Sequence, residues 1–176
     1  MKKILILTII LLNQISYSQI KTKLFYKDGK TAIEKCKIKG NTIKCENGNK
    51  KLKFNSKDLS AIEQYSKSGT TTRYVYMKIG NSSKPKLMRQ LIKGSASLFE
   101  ITKMAAPQTG GFTTAYYVKR QSWDSAKKIG TMKYNKNKVA AYFSDCPLLL
   151  QKVNSNSFKG KSPFKLISYF NKNCGN

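Results

Sequence analysis

The sequence predicts an α+β fold: an antiparallel, β-rich part over residues about 21–131, then a short helical part over 132–176 stapled by a disulfide. Three observations predict it. Short runs of alternating apolar and polar residues recur through the first part, separated by turn pairs such as Asp28-Gly29, Gly40-Asn41 and Asn47-Gly48. After Asn135 the period changes, with Val139, Tyr142, Phe143, Cys146, Leu149, Leu150 and Val153 at steps of three and four. Four cysteines are divided evenly between the two parts.

The chain opens with a basic Met1-Lys2-Lys3, an apolar run from Ile4 to Leu12 broken by Thr8, and Ser16 and Ser18 just before Gln19. That order is the layout of a secretory signal peptide over residues 1–18, with small residues three and one positions before the cut. The apolar run is too short for a spanning helix, which needs about 20 residues, so no transmembrane anchor is expected once the leader is cleaved. Residues 19–176 are expected to form one exported domain, mainly β over 19–131 and mainly α over 132–176, working in the periplasm or outside the cell.

The strands follow in order. Lys23–Tyr26 leads into Asp28-Gly29. Glu34–Lys39 and Thr42–Glu46 flank Gly40-Asn41, a two-residue hairpin signal. Lys50–Phe54 alternates Leu52 and Phe54 with lysines, and Ile62–Tyr65 follows a break at Ser56–Asp58. Thr71–Ile79 sends Val75, Met77 and Ile79 one way and Tyr74 and Tyr76 the other, where two exposed tyrosines would offer a stacking surface. Leu87–Lys93 and Ala96–Thr102 surround Gly94. Met104–Phe112, with Pro107 and Gly110-Gly111, reads as a loop before the strands Thr113–Arg120 and Lys127–Thr131.

In the helical part, Pro147 disfavours helix at Cys146. A kink or two short helices are expected, with Ser144 or Asp145 capping the second. Ser162-Pro163 starts a last helix, cap plus first-position proline, with Leu166, Ile167, Phe170 and Cys174 on one face.

Four cysteines in an exported chain predict two disulfides and allow three connectivities. The hairpin register chooses between them. With Gly40-Asn41 as the loop, Lys39 faces Thr42, Ile38 faces Ile43, Lys37 faces Lys44 and Cys36 faces Cys45. Counted outward, Cys36 and Cys45 fall at a non-hydrogen-bonded position, where α-carbons are close enough for a bridge. Cys146 is left for Cys174. Loop closure gives about 2.5–3 kcal/mol for the first bridge and about 3.5 kcal/mol for the second. There is no CxxC pair, and the spacing of the four thiols suits zinc poorly.

Thirty-four basic residues against eight acids give a formal charge of +26, and loss of Lys2 and Lys3 with the leader brings it to +24. Such a surface attracts polyanions. All but Arg73, Arg89 and Arg120 of the basic residues are lysines. Histidine is absent, which removes Ser-His-Asp and Cys-His catalysis and imidazole metal sites. The acids are scattered, so neither a carboxylate pair nor a calcium loop forms in sequence. No catalytic residue, cofactor or metal site is therefore expected.

The leading expectation is a non-enzymatic exported protein, envelope-associated or secreted. Lys37, Lys39 and Lys44 share the hairpin face opposite the cysteines and would contact an anionic polymer or lipopolysaccharide. The alternative is a structural or assembly partner of an envelope protein complex. A hydrolase without histidine, built on Ser125 and Lys128 of the Ser125-Ala126-Lys127-Lys128 run, is the least favoured reading.

The tail Tyr142-Phe143-Ser144-Asp145-Cys146-Pro147-Leu148, followed by Ser168-Tyr169-Phe170-Asn171-Lys172-Asn173-Cys174, resembles small exported proteins of flavobacteria and relatives that end in a YFxDCP…YxNxxC pattern. Phe25-Tyr26-Lys27-Asp28-Gly29-Lys30 resembles their opening strand and turn, and Gly94-Ser95-Ala96-Ser97-Leu98-Phe99 their mid-chain strand. The resemblance implies an exported location and carries no catalytic residues. Phe170 stands where the pattern has a second aromatic, usually Tyr, and Cys36 and Cys45 are additional to it.

Overall fold

A computed structural model describes residues 20–104, 110–158 and 163–175. The leader, the centre of the 104–112 loop and the expected cap at Ser162 lie outside the described residues. The fold is mostly antiparallel β-sheet, with three short helices at the C-terminal end.

The strands are β1 (Ile20–Tyr26), β2 (Thr31–Lys39), β3 (Thr42–Asn47), β4 (Lys50–Phe54), β5 (Leu59–Tyr65), β6 (Thr71–Met77), β7 (Lys86–Ile92), β8 (Ala96–Met104), β9 (Phe112–Arg120), β10 (Lys127–Thr131) and β11 (Lys133–Tyr134). They make one sheet in the order β11-β10-β9-β8-β7-β6-β5-β1-β2-β3-β4. Each connection is a local hairpin except β4 to β5, which returns across β1–β3 so that β5 pairs with β1. The break at 55–58 is a tight turn: Asp58 Oδ2 accepts from Asn55 N at 2.8 Å, and strand resumes at Leu59 rather than Ile62. Sequence reasoning missed β11, a two-residue return after Met132, which takes a φ of +62°.

Both large cores lie on one sheet face. Leu24, Ile62, Tyr74, Arg89, Glu100 and Tyr116 stand in register across β1, β5, β6, β7, β8 and β9. Towards β4 the sheet rolls over Leu24, Cys36, Ile43, Cys45, Leu59 and Ile62. Asn41, at the β2–β3 tip, fixes that roll. Its Oδ1 accepts from Leu87 N at 3.0 Å, its Nδ2 donates to Pro85 O at 3.3 Å, and its backbone carbonyl accepts from Tyr76 Oη at 2.7 Å. Gly40 supplies the φ of +60° that the two-residue loop needs.

Towards β11, Leu98, Val118 and Ile129 are covered by α1 (Lys136–Tyr142), α2 (Pro147–Asn154) and α3 (Pro163–Asn173). Val139, Phe143, Leu149, Val153, Leu166, Ile167 and Phe170 form the buried stripe. Each such side chain contributes roughly 1.5–3 kcal/mol. The other sheet face carries a smaller cluster of Met88, Phe99 and Ala126, over which the β6–β7 and β9–β10 loops meet at an Ile79–Ala126 bridge.

Two disulfides close. Cys36–Cys45 joins facing residues of β2 and β3, with α-carbons 4.0 Å apart. Cys146–Cys174 ties the start of α2 to the end of α3. Two short helices replace the single stripe, as proline predicts, but the capping expectation fails. The N-cap of α2 is Cys146 and makes no side-chain capping bond. Asp145 instead accepts a bidentate pair from Arg120, at 2.7 Å to Nη1 and 2.5 Å to Nη2. A two-bond, charge-assisted pair outweighs one capping bond, and Pro147 has already removed a backbone donor from the first turn.

Arg120 also donates to the Tyr142 carbonyl and lies 5.1 Å from the Phe170 ring centre. Close by, Asn171 uses its whole amide. Oδ1 accepts from Ala96 N at 2.8 Å and Ser95 Oγ at 3.0 Å, while Nδ2 donates to Ala96 O at 2.8 Å. A Cβ at Gly94 would come within 2.5 Å of Asn171 Nδ2, so glycine permits this approach. Of the distinctive tail residues, Asp145 and Asn171 thus join the helical part to the sheet, while Cys146 and Cys174 join α2 to α3.

Candidate functional site

The outward face of β1–β4 follows directly from the register. Because side chains alternate, the residues opposite the buried Cys36, Ile43 and Cys45 all point to solvent. Lys37 faces Lys44, and Lys44 faces Lys53. In the next row Lys21 faces Lys35, Lys35 faces Glu46, and Glu46 faces Lys51. Lys39, opposite Thr42, begins a third row. These lysines and Glu46 are all exposed.

The rows place seven lysines and one carboxylate on a lattice with steps of about 4.8 Å across strands and about 6.8 Å along them. Like charges directly opposite destabilise a sheet, by roughly 0.2–1 kcal/mol per pair. The sheet carries three such pairs, Lys37–Lys44, Lys44–Lys53 and Lys21–Lys35. The disulfide and the packed inner face hold the backbone beneath them. A shallow furrow of about 300 Å³ runs among Lys37, Lys44, Glu46, Lys51 and Lys53.

Lys37, Lys39 and Lys44 therefore lie together on one exposed face. Sequence reasoning missed Lys21, Lys35, Lys51 and Lys53. Carrying the hairpin register across the Asn47-Gly48 turn pairs Lys44 with Lys53 and supplies the last two.

The arginines are arranged differently. Each arginine has a carboxylate: Arg73 with Glu63 at 2.5 Å, Arg89 with Glu100 at 2.6 Å and Arg120 with Asp145 at 2.5 Å. Lys127 Nζ stands 4.2 Å over the Trp123 ring, and among the described residues no hydrogen bond joins Ser125 to Lys127 or Lys128. Tyr74 and Tyr76 are not an exposed stacking surface; both pack half-buried against the inner core. Burial pushes the Tyr76 phenol up to about 12, helped by the charge of Asp58. Among the described residues, no group of three or more Cys, Asp or Glu is placed to hold a metal ion, and no helix is long and apolar enough to cross a membrane. Two disulfides fit an oxidising, extracellular compartment.

Compared with family models, curated proteins and solved structures, this chain matches none.

Proposed function

We propose that this is an exported, non-enzymatic protein that binds anionic polymers or lipopolysaccharide through the lysine face of β1–β4. The observation that carries the reading is the row Lys37–Lys44–Lys53, extended by Lys21–Lys35 in the next row. A surface that opposes like charges across rigid strands is relieved by an anion lying over it. Lysine, a compact and mobile point charge, suits many irregularly spaced phosphates or sulfates better than one shaped ligand. The residues 1–18 leader and the resemblance of the tail to exported flavobacterial proteins support the location, with the mature chain starting at Gln19.

Heparin, lipopolysaccharide and duplex DNA, each titrated across a salt series, test the reading and distinguish sulfate, lipid phosphate and nucleic acid as the source of charge. Binding should weaken linearly in log–log form with salt. The combined Lys37→Gln, Lys44→Gln and Lys53→Gln variant should lower the slope by about 2 to 3. Absence of binding at low salt to all three probes, or a slope unchanged in the variant, refutes it. An envelope protein retained at high salt would favour the assembly-partner reading instead.

A further inference from the structure

Away from the lysine rows, the β2–β3 tip and the β6–β8 strands flank an open cavity of about 570 Å³. That volume falls in the range of small-molecule sites, roughly 300–1,000 Å³. The cavity exists because Asn41 draws the hairpin tip onto Leu87 and Pro85. Ile38, Leu87 and Tyr74 give it apolar walls. Within the lining, Arg89 Nη2 stands 2.6 Å from Glu100 Oε1, with the Glu100 side chain 12% exposed and that of Arg89 45% exposed. A guanidinium carries five N–H donors, so one carboxylate does not exhaust it. Lys86 and Lys103 also border the cavity, but strand alternation sends their side chains to the other sheet face with Met88 and Phe99, so the cation that faces it is Arg89.

Apolar walls beside one guanidinium with donors to spare define the ligand. We propose that this cavity binds a small anionic amphiphile, whose carboxylate, sulfonate or phosphate head meets Arg89 while its apolar body lies on Ile38, Leu87 and Tyr74. Tyr74 faces Arg89 directly across β6 and β7. Its phenol is raised first by burial, so it stays a protonated donor at neutral pH. The site is separate from the lysine face and stands or falls independently of polymer binding.

The test uses the folded full chain and 1-anilinonaphthalene-8-sulfonate, an aromatic body with one sulfonate. Fluorescence should rise saturably, with one site, and dodecanoate should displace the probe. The paired Arg89→Gln, Glu100→Gln variant removes both charges together, so neither is stranded in a half-buried site. It should weaken probe affinity at least about tenfold, equivalent to roughly 1.4 kcal/mol. Thr102→Trp, an exposed position in the lining, should abolish binding by filling the cavity even if the paired variant does not fold. The Lys37→Gln, Lys44→Gln, Lys53→Gln variant should keep full affinity. No saturable binding, unchanged affinity in Thr102→Trp, or equal loss in the outer-face triple variant overturns the assignment.

Discussion

The two ends of the sheet solve the same problem with opposite chemistry. Both bury an apolar face and both are tied by a disulfide. At the helical end, the strongest charged and polar groups are matched: Arg120 with Asp145, and Asn171 with the Ala96 backbone on both sides. At the β1–β4 end, lysines oppose lysines. All three arginines have taken a carboxylate, and with Asp28–Lys30 four of the eight acids serve as ion-pair partners among the described residues. The net charge of the chain is therefore unevenly distributed in kind. Arginine fastens the sheet and the helices, while the lysine rows of β1–β4 lie on an exposed face.

The largest expected effect separates the two disulfides. Replacing Cys146 and Cys174 with alanine should lower stability by about 3.5 kcal/mol, against about 2.5–3 kcal/mol for Cys36 and Cys45, because the larger loop restricts the unfolded chain more. Denaturant unfolding of the two double variants measures the difference. Equal losses would contradict the loop-length account, and reversed losses would place more of the stability in the rolled hairpins than in the helical lock.

A smaller effect concerns Asp145. The hydrogen bond from Arg120 holds its carboxyl below the ordinary value of 3.8. The pair's contribution is thus complete above that pH and is lost as pH falls through the lowered value. Asp145→Asn should cost about 1 kcal/mol at neutral pH, since the aspartate is half exposed. The gap from the parent protein should close in acid. A gap that persists unchanged in acid would assign the loss to packing around Arg120 rather than to the ion pair.

What the sequence made legible was local. The β2–β3 register followed from a two-residue turn, period-two alternation and two cysteines, all within residues 36–45. Pro147 divided α1 from α2 because proline's constraint acts on its own backbone and its neighbour's. Partner choice over longer separations was not legible. Nothing around Asp145 distinguishes a helix cap from a partner 25 residues upstream, and nothing around Asn41 announces Leu87, 46 residues on. The same limit explains Tyr74 and Tyr76. Alternation placed them on one face, but only the roll of the sheet makes that face interior. The lysine lattice lay between these cases: its central pair was readable from one hairpin, and its extent needed the neighbouring registers.

Lys44 lies between Lys37 and Lys53 and tests the contrast between the two ends most directly. Lys44→Glu should have the smallest effect on stability and the opposite sign, a gain of roughly 0.5–1 kcal/mol at low salt as two repulsive pairs become attractive. Heparin affinity should fall on the order of tenfold in the same buffer. Thermal unfolding and heparin titration of this one variant decide the matter together: a more stable protein that binds polyanion more weakly is the predicted result, and a less stable protein with undiminished binding would contradict it.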